Sequence, residues 1–320
     1  MSKFSNERLS KQFKVASFYS FSRIDEDTLN SLPSSLISIA KNSQVRGTVL
    51  VALEGINGTI CGPSEGVKSL LCAIQEYGLE NFLQIKYSWT SKQAFRRFKA
   101  RSKPEIVTMG IAGVNPNESV GTYVEPEEWN HFLDDPNTLV IDTRNEYEVS
   151  IGTFKGAVNP HTSTFSEFPS WADQNLKPFL NKERTKKIAM FCTGGIRCEK
   201  ATSYLKKEGF SEVHHLHGGI LRYLEEIPQA ESRWEGECFV FDQRVALNHN
   251  LMPGIHRLCY ACGMPLSPED RDNPTYIAGI QCCHCLGNYT EEDRARFAER
   301  QKYINELSKR LPYNSVWPNA

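Results

Sequence analysis

Apolar positions in the first hundred residues switch repeatedly between strand-like and helix-like spacing. Residues 15–21 carry aromatic and β-branched side chains in a run that predicts a strand. Residues 26–41 place Leu29, Leu32, Leu36 and Ile39 at helical spacing. Residues 46–53 (RGTVLVAL) predict a buried strand, which Glu54, Gly55, Ile56, Asn57 and Gly58 turn into a short partner over 59–62. A helix over 64–77 and a strand over 82–88 complete a β-α-β-β-α-β order, that of a ferredoxin-like sandwich.

Gly, Pro, Asn and Ser between 110 and 125 predict a linker, and a second α/β pattern follows it. Leu139, Val140 and Ile141, and later residues 187–191, are short apolar runs suited to a buried parallel sheet. Helices fit 199–208 and 220–226. A β-like stretch at 238–245 leads into a Cys-rich tail. Residues 291–311 predict a last helix with Phe297, Ile304, Leu307 and Leu311 on one stripe. The expected fold is therefore α/β in three parts. A ferredoxin-like α+β domain spans 1–112, an α/β domain with a parallel sheet spans 126–230, and a small Cys-rich module with a terminal helix spans 231–320.

Composition narrows the function classes. The 320 residues leave room for two or three ordinary cores. A net charge of −1 means that affinity for an anionic partner must come from a local patch. No stretch approaches the roughly 18 apolar residues of a membrane span, and residues 1–14 are polar with no apolar stretch behind them. A cytoplasmic protein with no membrane partner is the expectation. Of the 10 cysteines, five lie between Cys259 and Cys285, and Cys192 and Cys198 flank one loop. Such clustering in a long chain points to metal and thiol chemistry rather than a disulfide framework.

The loop Cys192-Thr-Gly-Gly-Ile-Arg197 ends an apolar strand and opens a helix. Glycines let backbone N–H groups fold inward as an anion-binding nest, and the helix N-terminus adds positive potential. A thiol held there ionises readily, and the thiolate is the nucleophile. Arg197 supplies a fixed positive charge, so Cys192 and Arg197 are candidate catalytic residues. The blander alternative is a small buried cysteine beside a turn. The four residues between Cys192 and Arg197 make a smaller cradle than the five of cysteine phosphatases, better suited to a single sulfur or oxygen atom than to a phosphate. Cys198 is a third candidate catalytic residue: either a partner for Cys192 in thiol redox chemistry or, in the alternative, a packed residue of the helix's first turn.

Between Lys86 and Lys103 lie seven basic residues and no acidic one, with Tyr87, Trp89, Phe95 and Phe98 interleaved. Positive charge can track a phosphate backbone, and aromatic faces can stack unpaired bases. Trp89, Lys92, Arg96, Arg97, Lys99 and Arg101 are therefore candidate RNA contacts. The alternative is a solvated helix with Phe95 and Phe98 in the core. In the tail, Cys259 and Cys262, then Cys282 and Cys285, form two Cys-x2-Cys knuckles 19 residues apart, the spacing of a four-thiolate zinc site. Such a site leaves no open coordination position, so its expected role is structural. Cys283 and His284 are alternative ligands. No Gly-x-Gly-x-x-Gly follows a strand, so neither a flavin nor a nicotinamide site is suggested.

Several motifs carry a family resemblance. Asp142-Thr-Arg-Asn-Glu-Tyr-Glu148 resembles the D-x-R-x-x-x-E segment of rhodanese domains, in which Asp142 and Arg144 would be scaffold. Gly156-Ala157-Val158-Asn159 and His217-Gly218-Gly219-Ile220 resemble their G-A-x-N and G-G motifs. The central domain is thus expected to be rhodanese-like. Gly47-Thr48, the run Glu54 to Thr59 (EGINGT), CTGGIRCEKA from Cys192, the run Trp234 to Arg244 (WEGECFVFDQR) and the paired knuckles together resemble the rhodanese-containing tRNA uridine hydroxylases over nearly the whole chain. The chain departs from that family's pattern at Cys283. The resemblance implies oxygen-dependent conversion of the wobble uridine, position 34, to 5-hydroxyuridine, with molecular oxygen as co-substrate and Cys192 as the essential cysteine. It implies the tRNA anticodon arm as partner, with no DNA. The loop taken alone fits a sulfurtransferase carrying a persulfide on Cys192 equally well, and a non-catalytic RNA-binding adaptor is a third reading.

Overall fold

The computed structural model describes residues 13–79, 83–177 and 187–310. In the first part, β1 (Phe13–Phe21), α1 (Glu26–Asn42), β2 (Arg46–Ala52), β3 (Gly55–Gly62), α2 (Ser64–Ile74) and β4 (Gln84–Thr90) give the expected β-α-β-β-α-β order. A fifth strand, β5 (Phe98–Ser102), extends the sheet to the order β4-β1-β3-β2-β5. β1, β3 and their neighbours β2 and β4 pair antiparallel, whereas β5 lies parallel to β2. Asp25 caps α1 by accepting the Thr28 N–H at 2.7 Å. Alternate residues face opposite sides of a strand. Phe18, Val49, Val51, Ile56 and Ile60 therefore pack on Leu32, Leu36, Val67 and Leu70 of the two helices. The other face carries Ser17, Tyr19, Thr48, Asn57 and Thr59.

Several boundaries differ from the sequence pattern, each for a local reason. The hairpin turn is Leu53 and Glu54, and Gly55 to Gly58 belong to β3 because they pair with β1 along their length. α2 stops at Ile74, and a wider turn follows in which Tyr77 and Gly78 leave helical geometry. The β4 strand begins at Gln84; Phe82 lies outside the described residues, as does Leu311. The basic aromatic segment is not a helix. Phe98 and Ala100 alternate inward against the core, and the backbone pairs with β2.

The second part comprises β6 (Thr122–Val124), α3 (Pro126–Asp134), β7 (Thr138–Asp142), α4 (Glu146–Val149), β8 (Gly152–Phe154), α5 (Phe168–Asn175), β9 (Lys187–Phe191), α6 (Ile196–Lys207), β10 (Val213–Leu216) and α7 (Gly219–Glu226). Its sheet is parallel, in the order β6-β10-β9-β7. β6 lies inside the predicted linker; three residues are too few to show a strand period. One face of the sheet packs Trp129, Phe154, Phe191 and Tyr223, the other Phe168, Met190 and Leu205.

The remainder is made of short hairpins. β11 (Trp234–Gly236) pairs with β8, β12 (Cys238–Phe239) with β13 (Ala246–Leu247), and β14 (Arg257–Leu258) with β15 (Pro265–Leu266), before α8 (Pro268–Asp272) and α9 (Glu291–Arg310). The expected stretch at 238–245 is thus the first arm and turn of a hairpin. Among the described residues no helix is long and apolar enough to cross a membrane.

Polar contacts lock the parts together. Buried Lys200 on α6 donates to Glu54 Oε1 at 2.9 Å, to Glu105, and to the Val107 carbonyl at 3.0 Å. Arg244 donates to Ser88 Oγ at 2.7 Å, and the Gln243 N–H to the Ala94 carbonyl at 3.0 Å. These bonds bring the sheet of the first part over the loops at the C-terminal edge of the parallel sheet.

Candidate active site

Cys192 follows the last residue of β9, at the end of the sheet where parallel α/β folds gather their functional loops. Gly195, with φ of 104°, turns its N–H onto Cys192 Sγ at 3.1 Å. The start of α7 holds the loop from behind: Ile220 N–H donates to the Cys192 carbonyl at 2.9 Å and Leu221 N–H to that of Thr193 at 3.1 Å. Gly219 explains its own place in the sequence. A Cβ there would lie 2.5 Å from the Cys192 carbonyl oxygen and 2.8 Å from the nitrogens of Gly194 and Gly195.

Burial alone would push the Cys192 thiol up. It is overcome by the Cys198 thiol donating to the sulfur, by the Arg197 charge, and by the backbone N–H groups of Cys198 and Gly195, which together bring the pKa down to about 6. Arg197 donates to both carboxylate oxygens of Glu148, at 2.6 and 2.7 Å. Burial disfavours the guanidinium charge, and buried Glu148 more than restores it. Asp142 and Arg144, both fully buried, pair at 2.6 and 2.9 Å, and Arg144 also donates to the carbonyls of Gly152 and Glu148. They form scaffold beneath the loop.

Cys198 is fully buried, in contact with Thr143 Oγ1 at 3.5 Å. Burial, then the neighbouring Cys192 sulfur, push its thiol well up. It therefore stays protonated and donates to Cys192 from the first turn of α6, where it packs.

A cleft of about 420 Å³ opens above this loop. One wall is Cys192, Thr193, Gly194 and Arg197; the other is the polar sheet face with Ser17, Tyr19, Thr48, Asn57 and Thr59. Phe241, 60% exposed, lies at the cleft with the Arg197 guanidinium 5.9 Å from its ring centre. The sequence reading missed several of these. Tyr19 donates to buried Glu199 at 2.7 Å, and Tyr123 also bonds Glu199. Burial raises the Glu199 pKa, the two tyrosines oppose this, and the Cys192 charge adds to it. Glu199 reads as an ordinary polar helix residue until a second sheet is docked against it. Only the FVFDQR run, already singled out, pointed toward Phe241.

The candidate RNA contacts are divided. Lys99 and Arg101 stand in register with Thr48 and Leu50, on the cleft side of the sheet. Arg96 lies over the Tyr260 ring at 5.6 Å, next to a knuckle cysteine. Arg97 is exposed and Lys92 half-buried on the turn before β5. Trp89 pairs with Lys14 on the helix side of the sheet, facing away from the cleft. Lys86, not among those candidates, lines the cleft itself; burial, then nearby Arg222, lowers its pKa.

In the tail, the sulfurs of Cys259, Cys262, Cys282 and Cys285 all lie within 4.8 Å of one another. Cys262 to Cys282 is 3.7 Å and Cys282 to Cys285 3.6 Å. Thiolates about 2.3 Å from a tetrahedral zinc ion stand about 3.8 Å apart, so the donor set fits such an ion. Cys283 and His284 belong to a separate group, turned onto Asp270 at 3.2 and 3.3 Å.

Comparison with known proteins agrees with this arrangement. Residues 13–106 match the UPF0176 acylphosphatase like domain, and residues 125–226 match the rhodanese-like domain. A protein of Prochlorococcus marinus named tRNA uridine(34) hydroxylase is 62% identical over 317 residues, covering 99% of each chain. The chain belongs to the tRNA uridine(34) hydroxylase family. Family members of the same name from a second strain of Prochlorococcus marinus (NATL2A) and from Parasynechococcus marenigrum (strain WH8102) are 55% and 58% identical, over 98% and 92% of this chain and 99% and 93% of their own. The match to these family members runs from the acylphosphatase-like part to the Cys-rich tail.

Proposed function

We propose that this chain is a cytoplasmic enzyme that hydroxylates uridine 34 of tRNA to 5-hydroxyuridine, with molecular oxygen as co-substrate and Cys192 as nucleophile. The observation that carries the reading is the depressed Cys192 thiol at the floor of a cleft whose other wall is a polar sheet face, in a chain 62% identical to a protein named for this reaction. The cleft size falls within the roughly 300–1,000 Å³ of small-ligand sites, and a base drawn out of the anticodon loop can enter it. Addition of the thiolate forms an S–C6 bond and moves the C5=C6 electron pair onto C5, next to the C4 carbonyl. That electron-rich carbon is where oxygen is introduced. One oxygen atom enters C5 and the other leaves as water, using two protons and two electrons from an external reductant. Loss of the C5 proton and of the Cys192 thiolate restores the double bond.

Lys99 and Arg101 on the cleft side, with Arg96, Arg97 and Lys92 along the turn before them, supply positive charge for the anticodon-arm backbone. Trp89 would meet RNA only beyond the sheet edge. Zinc in the four-thiolate site would hold the tail folded and takes no part in the reaction. In cells lacking the gene, complementation with the wild-type chain is expected to restore 5-hydroxyuridine in tRNA, measured by nucleoside mass spectrometry, and Cys192→Ala to leave none. Equal modification with both would remove Cys192 from the mechanism. Vigorous thiocyanate formation from thiosulfate and cyanide, without hydroxylation, would instead favour sulfur transfer.

A further inference from the structure

The sheet face opposite Cys192 contains a group whose hydrogen-bonding sense is already set. Asn57 lies on β3, directly across from Tyr19 on β1, and both line the cleft. Tyr19 in turn abuts the catalytic loop: its hydroxyl would sit 2.8 Å from a Cβ on Gly195. The Asn57 amide bonds the Ile106 carbonyl at 3.0 Å. A carbonyl can only accept, so the amide nitrogen must face Ile106. Asn57 Oδ1 is left as a fixed acceptor, with no hydrogen-bond partner among the described residues. On the neighbouring row, Ser17 Oγ and Thr59 Oγ1 lie 3.0 Å apart, and Thr48 stands in register with Thr59. These hydroxyls can donate or accept as needed.

We propose that Asn57 reads the imide N–H of the substrate uracil, and so is a specificity-determining residue of the site. The inference rests on the uridine hydroxylase reading and deepens it. Uracil carries a donor at N3, whereas cytosine carries an acceptor there; a fixed acceptor facing that atom favours the first and repels the second. Adaptable hydroxyls beside it accommodate the flanking carbonyls without choosing between bases. A site built to bond a polar group discriminates strongly against a ligand lacking it, because the buried partner is then left unpaired.

The test measures binding of anticodon stem-loops carrying uridine, 3-methyluridine or cytidine at position 34, using the full-length Cys192→Ala chain so that nothing reacts. This background is expected to bind the uridine loop about 10- to 100-fold more tightly than the other two, the span of one buried hydrogen bond left unmade. Adding Asn57→Ala should bring both ratios close to one. Unchanged ratios in Asn57→Ala would overturn the proposal, as would a background with no preference at all. Circular dichroism of each variant separates a reading role from loss of fold. Absence of 5-hydroxyuridine with the wild-type chain, while the uridine preference persists, would sink the hydroxylase reading and leave the base-reading one standing.

Discussion

Two groups of cysteines in this chain show how little the residue type decides by itself. Cys192 is surrounded by donors: a glycine N–H at 3.1 Å, the Cys198 thiol and N–H, and the Arg197 charge. Its negative charge is balanced by the protein, so it can remain a thiolate with no partner atom bound. The tail cysteines are surrounded by one another, with sulfurs 3.6 and 3.7 Å apart. Four thiolates packed so closely repel unless a cation lies between them. The first group stands at a cleft with its charge held by the protein, whereas the second sits in a module whose buried interior is Leu266 with Cys259, Cys282 and Cys285.

The comparison can be broken most forcefully at the tail. Cys262→Ser removes one of the four sulfurs that would hold an ion, and structural zinc contributes on the order of 10 kcal/mol to the folding of small modules. The variant should lose its bound metal by elemental analysis and become protease-sensitive beyond residue 250, while Cys192 alkylates at the wild-type rate. Retained metal and resistance would mean that the four sulfurs do not act as a set. A smaller effect is expected beneath the loop. Glu148→Gln leaves the buried Arg197 guanidinium without its counter-charge, which costs about 3–5 kcal/mol; urea unfolding measures it, and an unchanged midpoint would deny that the pair supports the loop.

The sharpest prediction concerns pH. The rate of Cys192 alkylation by iodoacetamide should rise with a midpoint at about pH 6. Arg197→Met should move that midpoint upward by about one unit or more, since an opposite charge is removed from beside the thiolate. The stability linkage has a definite sign. A thiol depressed in the fold from 9.0 to about 6 contributes stability fully present above pH 9 and lost as pH falls through 6. Subtracting the pH dependence of a Cys192→Ala variant isolates it, and a difference curve flat between pH 6 and 9 would contradict the assignment.

The alternation of strand and helix spacing, the Cys192 loop and the two knuckles were all legible along the chain, because each is a local pattern of contiguous residues. A strand ending in cysteine and glycines must present backbone N–H groups, and two Cys-x2-Cys knuckles at this spacing are suited to one ion wherever the intervening chain runs. The three-residue β6 was not legible, nor was β5 within the basic segment, because its pairing with β2 depends on residues some fifty positions away. The cleft was equally invisible. It exists because Lys200 bonds Glu54 and Glu105 and so docks one sheet against the other's loops. That docking gives Tyr19 its Glu199 partner and turns Asn57 from a hairpin residue into a wall of the site. The sequence by itself determined which thiol is depressed, since the groups that lower it, Gly195, Arg197 and Cys198, all belong to the loop around Cys192. Only the tertiary structure decided what that atom faces, because the opposite wall is assembled from strands brought over it by long-range contacts.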